Sequence, residues 1–73
     1  MLTPGFKDML NGMGRRISNL RRQQGLTQEQ LAEKTGLDRV SVGYIEQGRR
    51  APKLSTLYTL AKALGCDMGD FFA

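Results

Sequence analysis

TQEQLAEKTGLDRVSVGYIEQ, residues 27–47, is the stretch that decides the fold. Thr27 stands where an N-cap belongs, Gln30 follows three residues later, and Leu26 and Leu31 flank the start as a hydrophobic staple. In such a capping box the threonine hydroxyl accepts from the backbone N–H three residues on, and the glutamine side chain turns back to the N–H of the cap. The pattern predicts a helix from Gln28 that carries Leu31 and Ala32 inward and ends near Thr35. Gly36 can then adopt the left-handed conformation that closes helices and that a Cβ resists. A second start follows at once, with Asp38 as N-cap and Leu37 and Val42 as its staple. This places another helix over 39–47, closed by Gly48. Two helices joined by a glycine-containing turn of three or four residues form a helix-turn-helix.

Working outward, Met13, Ile17 and Leu20 share one face of a first helix that runs to about Gln24 and stops at Gly25. Beyond a basic loop at 48–53, Leu54, Leu57, Leu60, Ala61 and Leu64 mark a fourth helix, ended by Gly65. Asp67 can cap a short fifth helix over 68–72, with Phe71 or Phe72 closing the core. Residues 1–12 read as an N-terminal leader, either a short helix or an extension of helix 1, and 13–73 as the domain proper. Thr3 before Pro4 offers a helix start, and Phe6, Met9, Leu10 and Met13 fall at helical spacing, whereas Gly12 and Gly14 weaken a continuous helix. No strand pattern, repeat or linker is visible, so the expected architecture is all-α, a compact five-helix bundle.

A chain of 73 residues holds one domain, and a core of that size buries only about 60% of the unfolded surface. One cysteine, Cys66, and no histidine rule out an internal disulfide and argue against a zinc site. The same absences remove Ser-His and Cys-His arrangements; with no phosphate loop and little room for a pocket, no enzyme and no cofactor are expected. There is no signal-type apolar stretch at the N-terminus and no run of about 20 apolar residues, so a cytoplasmic, membrane-free protein is expected. Eleven Lys+Arg against seven Asp+Glu leave a net charge of +4, which favours polyanionic partners.

Within the predicted third helix Val42 and Ile45 face the core, which turns Arg39, Val40, Gly43, Tyr44 and Gln47 outward together. An α-helix fits the major groove of B-DNA, where arginine pairs with guanine O6 and N7 and an apolar side chain senses a thymine methyl. Arg39 and Val40 supply those chemistries at the end of the helix where base edges are met. Tyr44 could pack on a sugar or methyl, or reach a phosphate. Gly43 costs about 1 kcal/mol against alanine in mid-helix, and close approach to a ligand or another helix is one reason to keep it. Gln28, Gln47, Arg49, Arg50 and Lys53 are candidates for phosphate contact. Read blandly, all of these are residues of a solvated surface. Arg21 and Glu46 interrupt the pattern of their helices and are expected to pair as an architectural ion pair.

These residues together resemble the lambda-repressor-like family, the Cro and phage-repressor type of helix-turn-helix protein, also called the xenobiotic response element family. The likeness runs through GRRISNLRRQQGLTQEQLAEKTGL at 14–37, DRVSVGYIEQGRRAP at 38–52 and LSTLYTLAKALGCDMGDFF at 54–72. It implies a five-helix domain that binds double-stranded DNA, commonly as a homodimer on a palindromic operator, as in a transcriptional regulator. It also implies Gln28 as a phosphate clamp, Arg39, Val40 and Tyr44 as base-facing positions, and Arg21 with Glu46 as the inter-helix pair. Arg39 and Val40 differ from the glutamines some relatives carry there, so a preferred sequence cannot be transferred. The LDR opening of helix 3 and the DFF end are also similar to restriction-modification controller proteins. The alternative reading is an antitoxin-like or antagonist-binding module that uses the same fold to hold a protein partner, with Phe6, Met9, Leu10, Phe71 and Phe72 as its adhesive surface.

Overall fold

A computed structural model of the chain describes residues 4–72; the expected cap at Thr3 lies outside them. The described residues form four α-helices and a terminal turn of 3₁₀-helix: α1 Pro4–Gln23, α2 Gln28–Thr35, α3 Arg39–Glu46, α4 Leu54–Leu64 and the turn Met68–Phe71. The bundle is therefore all-α, but it has four α-helices where five were expected. The reason lies in the last segment. Gly65 closes α4 in the left-handed conformation, and Asp67 and Asp70 then bind each other, with Asp67 N donating to the Asp70 carboxylate and Asp70 N to the Asp67 carbonyl. That closes a single tight turn, which is the usual form of so short a helical piece.

The caps form as the residue pattern predicts. Gln30 N donates to Thr27 Oγ1 at 3.0 Å and Thr27 N to Gln30 Oε1 at 2.8 Å, so α2 starts with both halves of a capping box. Asp38 Oδ1 accepts from Ser41 N at 2.7 Å and starts α3. Gly36, at φ 76°, makes the turn between α2 and α3.

Helix α1 is continuous through Gly12 and Gly14, so the described residues before 13, from Pro4 on, extend helix 1. Tertiary packing outweighs the propensity of its glycines. Leu10 is buried with Met13 and Ile17 in one core that also holds Leu31, Ala32, Val42, Ile45, Leu57, Leu60, Ala61, Leu64 and Phe71. Gly14 has a positive role there, since a Cβ at that position would stand 2.5 Å from the Ile45 carbonyl oxygen and 2.8 Å from the Glu46 carbonyl carbon. The missing side chain lets α1 cross the end of α3 at backbone distance. Asn11 packs in the same way against Gly48, and Lys7 Nζ donates to the Gly48 carbonyl at 2.6 Å. At the opposite end of α1, the Gln24 side chain donates to the Leu64 carbonyl and ties α1 to the end of α4.

Candidate nucleic-acid interface

Helix α3 is eight residues long and buries Val42, Ile45 and Glu46. Its remaining side chains face outward. Arg39 and Gln47 are exposed, Val40 is 54% exposed, and Gly43 and Tyr44 are half-buried. The structure thus brings Arg39, Val40, Gly43 and Tyr44 onto one side of α3, with Gln47, expected as its last residue, placed at its C-cap. Arg39 also borders an open cleft shared with Arg22, Thr27, Gln28 and Glu29 at the start of α2. The first N–H groups of a helix have no intrahelical partners, and two cations beside them make this edge of the surface attractive to anions. Arg22 was not singled out from sequence. Its position one turn before Gly25, on the side of α1 away from Ile17, was the available signal.

The basic loop is more ordered than a solvated run of cations. Arg49 and Arg50 both lie against the Tyr44 ring, with guanidinium carbons 5.1 and 5.2 Å from its centre, within cation–π range. Arg50 Nη1 also donates to Ser41 Oγ at 2.7 Å, and Ser41 Oγ donates to Asp38 Oδ2 at 3.1 Å. Ser41 is thus a positioning residue that sequence reasoning missed; its place three residues after the Asp38 cap was the clue. The Ser41 backbone N–H, then its hydroxyl, hold the Asp38 carboxyl below the usual carboxylate range, with Arg50 adding to the effect. Tyr44 gathers the two arginines at the end of α3, and its ring is engaged with them. Lys53 stands apart, exposed at the N-cap of α4.

Beneath the exposed face lies a charged network. Arg21 grips Glu46 with two parallel bonds, Nε to Oε2 at 2.7 Å and Nη2 to Oε1 at 3.0 Å, and its third nitrogen donates to the Leu26 carbonyl at 2.7 Å. Both residues are buried, at 6% and 9% exposure. The hydrogen bonds that Arg21 donates to Glu46 hold its guanidinium above its ordinary pKa against the opposing effect of burial. Gln28 joins the network through Nε2, which donates to Glu46 Oε1 at 3.0 Å. Its carboxamide lies over Gly43, where an added Cβ would be 3.8 and 3.9 Å from its oxygen and nitrogen. Gln28 therefore sits on the face of α3, tied inward, and not free at the start of α2.

A short helix held on a glycine turn, with its apolar side in the core and a basic polar side in solvent, defines the helix-turn-helix class. The family model described as helix-turn-helix matches residues 17–71. The HTH-type transcriptional regulator PuuR of Escherichia coli (strain K12) is 42% identical over 60 residues, covering 82% of this chain and 32% of that protein. This chain thus spans about a third of that regulator's length. The crystal structure of the restriction-modification controller protein C.AhdI from Aeromonas hydrophila superposes with a TM-score of 0.86 at 39% identity, covering 90% of this chain and 96% of that one. The P22 c2 repressor protein, crystallised in complex with synthetic operator 9T, superposes with a TM-score of 0.78 at 28% identity over 82% of this chain and 91% of its own. The chain belongs to the helix-turn-helix family, in its lambda-repressor-like, Cro and phage-repressor branch.

Proposed function

We propose that the chain is a sequence-specific double-stranded DNA-binding transcriptional regulator that places α3 in the major groove. The observation that carries this reading is the exposed side of α3, where Arg39 and Val40 are both exposed on its first turn. Arg39 offers a guanidinium to guanine O6 and N7, and Val40 offers apolar contact to a thymine methyl. Gly43 and Tyr44 continue the base-facing side. The cluster of Arg49, Arg50 and Gln47 at the far end, with Lys53 beyond it, and the cleft at Arg22 at the near end, flank the helix with groups suited to phosphates. PuuR is a transcriptional regulator and P22 c2 a repressor held on an operator, which supports the same role here.

One α3 covers only a few base pairs. A homodimer that places two copies about 34 Å apart on a palindromic site multiplies selectivity. The exposed Phe6, Met9 and Phe72, of which Met9 and Phe72 border one open cleft with Arg15 and Arg16, supply an apolar surface on the side of α1 and the C-terminal turn. That surface also suits the alternative function of holding a protein partner. Leu10 and Phe71 do not belong to it, because both are buried in the core. Selection of duplexes from a random pool, followed by gel shift on the enriched sequence, tests the main reading. The expected result is one preferred site; affinity equal on all duplexes and lost with salt would overturn it.

A further inference from the structure

We infer that two copies of this chain pair antiparallel through the outward side of α1, with Asp8 of each copy on Arg15 of the other. The inference rests on the homodimer proposed above and names its contact surface; no residue assigned to DNA takes part. Lys7, Asn11 and Gly14 turn one side of α1 toward α3 and Gly48. The other side is uncovered, and there Asp8, Met9, Gly12, Arg15 and Phe72 border one open cleft. Met9 and Phe72 are 45% and 47% exposed, apolar area of the kind that a partner covers. Gly12 keeps the floor of the cleft shallow. Arg16 folds back over it, with Nη1 3.2 Å from where a Cβ would stand, and donates to the Phe71 carbonyl at 3.4 Å. Its guanidinium thus lies along the helix and leaves the cleft open.

Charge decides what fits there. Asp8 is the one acidic residue of α1. Both it and Arg15 are exposed, and neither forms an ion pair among the described residues. Seven residues bring a helix back to the same edge two turns on, about 10 Å further along its axis. Where two identical helices run antiparallel about a two-fold axis, a residue on one edge meets the same edge of the other helix, at equal distance on the far side of the centre. With that centre between Asn11 and Gly12, Asp8 of each copy falls on Arg15 of the other, and both pairs form at once. Met9 by the same operation meets the folded-back stem of Arg16, which can cover it. A parallel pairing would set Asp8 on Asp8 and Arg15 on Arg15, which like charges oppose. A purely acidic partner would strand Asp8 and a purely basic one Arg15. A second copy of the chain carries both signs at the required spacing.

Sedimentation of the full chain without DNA tests the pairing. The wild type should sediment as a dimer. Asp8→Arg and Arg15→Asp should each weaken that dimer by roughly 10-fold or more, since two attractive pairs become two repulsive ones. Mixing the two variants should restore a dimer, because each supplies the charge the other lacks, and a chain carrying both substitutions should dimerise with itself. Both positions are exposed, and melting curves check that the variants stay folded. A wild type that stays monomeric up to about 1 mM, single variants that dimerise as it does, or a mixture that remains monomeric would each overturn the inference. None of these results touches DNA reading by α3, which the duplex selection measures; a dimer of this form with no preferred duplex would remove the DNA reading and leave the contact surface standing.

Discussion

Gly14 of α1 rests against the carbonyl group of Glu46, the last residue of α3, with no space for one more carbon between them. Gly14→Ala should therefore force the two helices apart at their crossing. Overpacking of this kind costs about 1 to 3 kcal/mol. For a domain of this size the melting temperature should fall by roughly 4–8 °C per kcal/mol. An unchanged melting curve would show that the crossing has slack.

Gly43 should respond in the opposite direction. It lies inside α3 with an ordinary helical backbone, and an added Cβ meets only Gln28 at normal van der Waals distance. Gly43→Ala is expected to stabilise the fold by about 0.8 to 1 kcal/mol, the propensity difference between the two residues. Its affinity for a selected duplex should nonetheless drop, because the methyl fills the notch on the exposed side. Denaturant titration and gel shift read the two effects separately.

The pairing of Arg21 with Glu46 predicts a large penalty for breaking it from one side. Arg21→Ala strands a buried carboxylate and should cost about 3 to 5 kcal/mol. Replacing both, as Arg21→Met with Glu46→Leu, should recover most of that stability, because the uncompensated charge is gone. Recovery in urea denaturation separates the cost of burial from the strength of the bond.

Acid should loosen α3 through its cap. The Asp38 carboxyl titrates below its unfolded value of about 3.9 because Ser41 donates to it. A depressed folded pKa means that the cap contributes fully above the unfolded value and is lost as pH falls through the folded one. Asp38→Asn keeps a capping oxygen without the titration, so its stability should vary less with pH below about 4 than that of the wild type. Parallel acid-unfolding curves for the two proteins would contradict this.

Cys66 should be a sluggish nucleophile. Burial chiefly, then the nearby Asp70 and Asp67, push its thiol pKa upward. Its rate with a maleimide, followed against pH, should have a midpoint above the value of about 8.5 for a free cysteine.

Much of the helix-turn-helix was legible in sequence because caps are local. Thr27 with Gln30, and Asp38 with Ser41, are bonds between residues three apart, so α2 and α3 start at the residues their patterns name. The long helix α1 was harder, because Gly12 and Gly14 are poor helix formers by themselves. What keeps them helical is a crossing with α3 that no local pattern reports, although Gly14 lies two turns before Arg21 on the side expected to meet that helix. The last turn differs for the converse reason: a cap signal at Asp67 announces a start, but the cap closes on Asp70 in a single tight turn. Of the candidate site, the outward residues of α3 follow from the inward placement of Val42 and Ile45. The engagements of Gln28 with Glu46, and of Tyr44 with Arg49 and Arg50, depend on rotamers and loop path, which spacing does not encode.

The close approaches and polar contacts described above between α1 and α3 fall at one end. Lys7 and Asn11 at Gly48, Gly14 at Ile45 and Glu46, and Arg21 at Glu46 secure the heel of the helix, while its first turn carries Arg39 and Val40 into solvent. The tip is interchangeable and the mounting is not. New side chains at 39 and 40 can be tried without disturbing what holds the helix up, so stability and base preference can be altered independently in one short segment.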